Sequence, residues 1–222
     1  IGLSWSKRLS ERSFLAVNGT LLTANLAIKN GIGCHLGGGT HHSHFDYGAG
    51  FCVFNDLAYA ALMLINNKIV KKILIFDCDV HQGDGTARIL EKNDNIFTCS
   101  VHCKKNFPLN KAQSNLDIEL EDHTNNTEYL NEIQKTIKFC VNSFKPDFVL
   151  YDAGIDIHKD DELGKINIDD DGCLERDILV LNFLKKLSIP VATVIGGGYS
   201  KNKDELALRH SFVFNAANQV FG

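Results

Sequence analysis

No stretch of this 222-residue chain is apolar for long enough to cross a bilayer: the longest such run, Ala58–Ile65, falls far short of the roughly 20 residues a spanning helix needs. No secretory leader pattern opens the chain, which begins at Ile1 rather than methionine. The expectation is a soluble, cytoplasmic protein, or a nuclear one in a eukaryotic host, that has lost an N-terminal portion. Lys and Arg total 23 against 27 Asp and Glu, and they are scattered singly. With a net charge of −4 there is no basic face to grip a phosphate backbone, so direct nucleic-acid binding is not expected. Prolines number three, and no Pro-, Gly- or Ser-rich linker, repeat or low-complexity run divides the chain, so residues 1–222 read as a single domain. None of the seven cysteines forms a C-x-x-C pair; odd in number and mostly inside apolar runs, they read as reduced core residues.

What is present is an alternation of short β-rich runs and longer helical patterns. Strands are expected near Gly33–Gly37, Lys72–Asp77, Ile96–Val101, Phe148–Asp152 and Val191–Ile195. Helices are expected near Glu11–Lys29, Asn55–Asn66, Gly85–Lys92, Thr127–Phe144, Gly172–Leu187 and Lys203–Val220. Continuous apolar strands in such an alternation imply an α/β fold of three layers, α/β/α, with a mostly parallel central sheet. Ligands of such sheets sit beyond the carboxyl ends of the strands. The polar residues that stand out fall there: Gly37 to His42 after the first strand, Asp79 to His81 after the second, Ser100 to His102 after the third, Asp152 to Asp156 after the fourth and Gly196 to Tyr199 after the last.

In ILIFDCDVHQGDG, Asp77, Asp79 and His81 stand at i, i+2 and i+4 of what begins as an apolar strand, a spacing that puts them on one face. Buried carboxylates need cations or hydrogen-bond donors. Asp79, His81 and Asp156 are therefore candidate ligands of one divalent cation, three protein ligands leaving positions open as a catalytic site requires. Oxygen and nitrogen donors suit Zn²⁺ and leave room for Fe²⁺, Mn²⁺ or Co²⁺. The alternative is a plain Asp79–His81 pair with Asp156 capping a turn. Two carboxylates on one dication weaken its acidification of water, so a separate base is wanted, and His41 or His42 behind the glycine run can supply it. Asp77 and Asp84 could orient these imidazoles; as a strand acid and a first-turn acid they would need no such role. Tyr199 could donate to a developing oxyanion or be an ordinary turn tyrosine. Phe51 and Phe107 could wall a narrow pocket or belong to the core. Neither glycine run, 37–39 or 196–198, has the spacing of a phosphate-binding loop.

Taken together and in order, GGGTHH, GAGFCVFND, DCDVHQGDG, SVH, AGIDIHKDDELG and GGGYS resemble the motifs of the zinc-dependent histone deacetylase superfamily from about Trp5 onward, with DVHQG and AGID closest to its class IV branch and bacterial members. The resemblance implies the arginase/deacetylase fold, with an N-terminal strand and rim loop missing ahead of Trp5. It implies zinc on Asp79, His81 and Asp156, and a structural K⁺ or Na⁺ held by Asp77, Asp79, His81, Ser100 and Val101. It makes His42, backed by Asp84, the general base and acid, His41, backed by Asp77, a charge stabiliser, and Tyr199 the carbonyl-polarising phenol. Gly50, Phe51, Phe107 and Gly197 would line the acyl tunnel. The activity implied is hydrolysis of an acetyl or other acyl amide by metal-activated water, on a protein's acyl-lysine or on an acylated polyamine or other small amine. A ureohydrolase with two manganese ions and an inactive module that binds acylated ligands are the competing readings. Gln82 stands where other classes carry histidine and should not touch the chemistry, and Asp152 stands where a neutral amide is usual, adding negative charge near the site.

Overall fold

The apolar run Ile73–Asp77 forms a strand, β2, buried at every position. A sheet covered on both faces leaves no solvent side for an alternating pattern. The same holds for β5 (Phe148–Asp152) and β6 (Val191–Val194), and nearly so for β3 (Ile96–Cys103). With β1 (Ile32–Cys34) and β4 (Leu116–Leu120) they make one six-stranded sheet in the order β1-β6-β5-β2-β3-β4, and every pairing is parallel. The computed structural model describes residues 1–222.

Helices α1 (Lys7–Asn30), α2 (Asp56–Asn66) and α3 (Asp84–Leu90) cover one face; α4 (Asn126–Phe144), α5 (Asp170–Lys186) and α7 (Phe212–Phe221) cover the other, and α6 (Lys203–His210) leads into α7. The pleat of β2 divides between two cores: Ile73 and Ile75 pack with Leu57, Ala61 and Leu64 of α2, while Leu74 and Phe76 pack with Ile133 and Ile137 of α4 and Val180 and Leu184 of α5. Helix starts follow their caps. Ser6 accepts from the Leu9 N–H, Asn55 from Ala58 and Asp169 from Gly172, and Asn125 with Glu128 forms a reciprocal capping box. No helix is long and apolar enough to cross a membrane. All seven cysteines are free, and all but Cys34 are buried.

Three features differ from the sequence expectation. Strand β4 was not anticipated, because at the sheet edge LDIEL is only half covered and carries acids at alternate positions. Pairing with β4 extends β3 to Cys103, so Ser100, Val101 and His102 lie within a strand rather than in a loop. The expected helix Lys203–Val220 is broken at Ser211, whose hydroxyl donates to the Leu208 carbonyl at 2.6 Å, a competing bond within the helix ladder.

Chain connections leave β2 toward β3 and β5 toward β6, in opposite directions along the sheet, so the switch point lies between β2 and β5. A crevice opens at the carboxyl ends of strands flanking such a point. Asp77 and Asp152, the last residues of β2 and β5, are register partners at that crevice.

Candidate metal centre

Strand β2 ends at Asp77, so Asp79 and His81 do not share a strand face as their spacing suggested. The chain turns instead: the Asp77 carboxylate accepts from the Asp79 N–H at 3.0 Å, and Asp79 from the His81 N–H at 2.9 Å. This turn faces the loop after β5. His81 Nδ1 lies 3.1 Å from Asp79 Oδ1 and 2.9 Å from Asp156 Oδ2. One donor atom from each of Asp79, His81 and Asp156 falls within 4.8 Å of the other two, and all three residues are buried. Further donors fix the two carboxylates, Asp79 accepting from Gly197 N–H at 2.7 Å and Asp156 from Val80 N–H at 2.9 Å.

The charges in this cluster are set by one another. Burial opposes ionisation of Asp156 and the neighbouring Asp79 adds to the effect, so its carboxyl is pushed up to about 7. Burial also opposes a charged His81, but the two carboxylates outweigh it and raise the imidazole to about 10. Protons thus occupy a site whose oxygen and nitrogen donors converge on one point, and a divalent cation would satisfy the same donors.

The paired histidines sit above this point. His41 Nδ1 is 2.7 Å from Asp77 Oδ2, His42 Nδ1 is 2.6 Å from Asp84 Oδ1, and the two Nε2 atoms are 3.1 Å apart. Burial works against charge on His41, yet Asp77 and Asp79 prevail and raise its pKa well above the usual range. For His42 burial and the charge on His41 win over Asp84, lowering it to about 4 and leaving a neutral imidazole. Asp84 is also the first residue of α3, after the N-cap Gly83, so its place in the first turn and its contact with His42 coexist. Its other oxygen lies 3.0 Å from His44 Nε2, which places His44 in the same network.

A cavity of about 480 Å³ is lined by His41, His42, Gly50, Phe51, Asp79, His81, Gly197 and Tyr199. Phe107 does not line this cavity but an adjoining pocket, with Lys105, Leu163 and Lys165, that shares His42, Phe51, His81 and Tyr199 with it, and its ring centre is 4.8 Å from that of His42. Gly50 is required there, because a Cβ would come within 2.3 Å of the His42 ring. The Tyr199 ring stands edge-on to His81 at 6.4 Å and tilted to Phe51 at 5.9 Å. Burial and the nearby Asp79 raise its phenol pKa, so it remains a hydrogen-bond donor.

Ser100 is the register partner of Asp77, but its hydroxyl is 3.0 Å from His102 Nδ1, and Val101 is buried within β3. Gln82 faces away from the cavity, bonding Asp117 at 2.8 Å and both backbone groups of Ala112. The negative charge expected from Asp152 is opposed by its surroundings: both of its carboxyl oxygens are buried without a partner, and burial together with Asp77 raises its pKa well above the usual carboxylate range. It forms a second cluster with His41 and Asp77, although the His41–Asp77 hydrogen bond already engages those two.

Sequence reasoning gave no role to Asn106, Arg176, Asn55 or Asp56. Asn106 lies 3.4 Å from His81 Nε2 and donates to the Leu163 carbonyl at 2.7 Å. Arg176, fully buried, donates to the carbonyls of Gly154 (2.6 Å) and Ala153 (3.0 Å), fixing the backbone that leads to Asp156. The available signal was a charged pair, Arg176–Asp177, on the face of α5 that also carries Cys173, Val180 and Leu184.

Residues 3–213 match the family model described as the histone deacetylase domain. The chain is 44% identical over 221 residues to an uncharacterized protein of Picosynechococcus sp., covering all of this chain and 74% of the other. It is 31% identical over 189 residues to histone deacetylase 2 of Arabidopsis thaliana, which covers 84% of this chain and 49% of that one. Identity to the acetoin utilization protein AcuC of Staphylococcus aureus is 33% over 175 residues, 72% of this chain and 45% of AcuC. The chain therefore spans about half the length of these last two relatives. Among solved structures, an acetylpolyamine aminohydrolase from Burkholderia pseudomallei superposes with a TM-score of 0.80 at 18% identity, covering 96% of this chain and 64% of that one, a likeness of fold.

Proposed function

We propose that this chain, which belongs to the histone deacetylase domain family, is a zinc-dependent hydrolase that removes an acyl group from the amine of an acyl-lysine. The observation that carries the proposal is the convergence of Asp79, His81 and Asp156 on one point beneath a pair of imidazoles, each backed by its own carboxylate. A divalent ion held by those three residues supplies a Lewis acid for an acyl carbonyl and lowers the pKa of water. Zn²⁺ suits the donor set, and so does Fe²⁺.

The remaining work falls to this chain's own side chains. His42, neutral and hydrogen-bonded through Nδ1 to Asp84, can take a proton from water at Nε2 and return it to the departing amine. His41, held charged by Asp77, stabilises negative charge beside it. Tyr199 donates its phenol hydrogen to the acyl oxygen as charge develops there. Phe51, Phe107 and Gly50 form walls that accept an aliphatic chain and exclude water. A structural K⁺ or Na⁺ held around Asp77, Asp79, His81, Ser100 and Val101 belongs to the same proposal; the register pairing of Asp77 with Ser100 favours it.

The charge beside the cavity favours acyl-lysine over acylated polyamine. Lys105 and Lys165 line the adjoining pocket, and with Lys105 paired to a carboxylate, Lys165 is the cation that the additional ammonium groups of a polyamine would meet. Lys105 is paired with Asp122 at 3.2 Å, whereas Lys165 donates to the Lys105 carbonyl at 3.1 Å. The test is a panel of acetyl-lysine and longer acyl-lysine peptides and an acetylpolyamine, with metal counted per chain. Cleavage of a peptide, inhibited by a hydroxamate, with one divalent ion per chain is the expected result. Two ions per chain would favour a ureohydrolase, and a metal-loaded protein that turns over nothing in the panel would be a binding module.

A further inference from the structure

Asn55 and Asp56 close the GAGFCVFND segment, are buried, and take no part in the chemistry assigned above. Both reach the loop that carries the paired imidazoles. Asp56 Oδ2 accepts from the Thr20 hydroxyl at 2.5 Å and the Gly39 N–H at 3.1 Å, and its Oδ1 accepts from the N–H and hydroxyl of Thr40 at 2.7 and 2.6 Å. Asn55 Nδ2 donates to the carbonyl oxygens of His41 and Ser43 at 3.2 and 3.0 Å, while its Oδ1 caps α2 through the Ala58 N–H at 2.9 Å. Two consecutive residues thus hold the backbone on both sides of His41 and His42.

The glycine run makes such a hold necessary. Gly38 and Gly39 have φ of +80° and +81°, and a Cβ on Gly38 would meet Asp56 Oδ2 at 2.6 Å. Glycine permits this close approach, but a glycine run cannot by itself fix the direction of the residues that follow. The contacts also exceed what helix α2 requires. Its cap uses only Asn55 Oδ1, leaving Nδ2 to the two loop carbonyls and to the Thr86 hydroxyl at 3.0 Å, and Asp56 accepts nothing from its own helix.

The geometry points to Asn55 and Asp56 as positioning residues: a clamp at the start of α2 that sets the separation and aim of the His41 and His42 rings without touching substrate. Its effect on turnover rests on the amide-hydrolase reading; its effect on the rings does not.

Three variants test it. Asn55→Asp keeps the capping oxygen but turns the donor that faces two carbonyls into an acceptor. Thr40→Val removes the hydroxyl that faces both Asp56 Oδ1 and the carbonyl of Phe54, the residue just before the clamp, and Thr40→Ser restores it. The readouts are kcat and KM on an acyl-lysine peptide, metal content, helix content, and the downfield N–H proton signals of the imidazoles bound to Asp77 and Asp84. Because a misplacement near 1 Å can cost about 10²-fold, Asn55→Asp and Thr40→Val should keep metal and helix content, lose roughly 10- to 100-fold in kcat with KM within about threefold, and shift or lose those signals. Thr40→Ser should recover both. If Asn55→Asp does not fold, the Thr40 pair decides. Folded variants with unchanged kcat and unchanged signals would overturn the clamp. If the parent protein cleaves no acylated amine, the hydrolase reading fails, and the N–H signals still decide the clamp.

Discussion

His41 and His42 place their Nε2 atoms 3.1 Å apart, close enough for one proton to link the two rings. Their carboxylate partners settle where it resides. Asp77 stands on the buried end of β2 and holds His41 charged; that charge and burial keep His42 neutral. Two identical side chains, adjacent in sequence, are thereby set to opposite protonation states by what each touches.

Asp84→Asn should separate orientation from charge at His42. Asp84 hydrogen-bonds His42 Nδ1 at 2.6 Å and raises its pKa, while burial and His41 lower it. Removing the carboxylate lowers the His42 pKa further, so the acid limb of the pH–rate profile should move to lower pH. The plateau should fall by about 10²–10⁴ because the imidazole loses its fixed tautomer. Measured at saturating metal, an acid limb that moves upward instead would remove Asp84 from this role.

Tyr199→Phe should reduce kcat by about 10²–10³ while metal content and KM stay near those of the parent. Tyr199 lines the cavity with Asp79 and His81, its ring centre 6.4 Å from that of His81. Turnover at the parent rate in the variant would show that the acyl oxygen is polarised by other groups.

Metal binding should release protons. In the metal-free protein the His81 pKa is raised to about 10 and that of Asp156 to about 7, so at pH 7 His81 holds a proton and Asp156 holds one about half the time, and a divalent ion must displace them. Affinity should therefore weaken as pH falls through 7. The metal-free stability runs the other way for Asp156. Its folded pKa is raised above the unfolded value of about 3.9, so its ionisation costs stability above pH 7 and this cost vanishes as pH falls toward 4. Calorimetric titration with Zn²⁺ in buffers of different ionisation enthalpy measures the release, and a binding enthalpy independent of buffer would contradict it.

Much of the site was legible because its residues are concentrated in short segments at strand ends, where type and spacing carry information. Asp79, His81 and Asp156 converge as expected, even though Asp79 and His81 lie beyond β2 rather than on its face. The raised pKa of Asp152 was not legible, since it depends on burial and on the neighbouring strand that pairs Asp77 with Asp152. Strand β4 escaped notice for a similar reason: its residues resemble a polar loop until β3 is there to pair with them. Asn55 and Asp56 look like an ordinary helix start, which they are, and only the folded loop shows what else they hold.

Arg176 should prove to be the most costly single residue outside the cavity. It is fully buried, its Nε 2.9 Å from Asp177 Oδ1, while Tyr151 donates to the same oxygen at 2.5 Å. Arg176→Met would leave the Asp177 carboxylate without its counter-charge and the carbonyls of Ala153 and Gly154 without donors. Breaking a buried pair in this way costs about 3–5 kcal/mol. At about 2–4 °C per kcal/mol for a domain of this size, Tm should fall by roughly 6–20 °C. Arg176→Met combined with Asp177→Leu removes both charges and should recover part of the loss, because the stranded carboxylate no longer needs a partner. The recovery should remain incomplete and should not extend to metal affinity, since the loop from Ala153 to Asp156 would still lack the donors that fix it. Thermal melts of the two variants beside a Zn²⁺ titration separate the contributions, and a double variant no more stable than the single one would mean that the carbonyl contacts, not the ion pair, dominate.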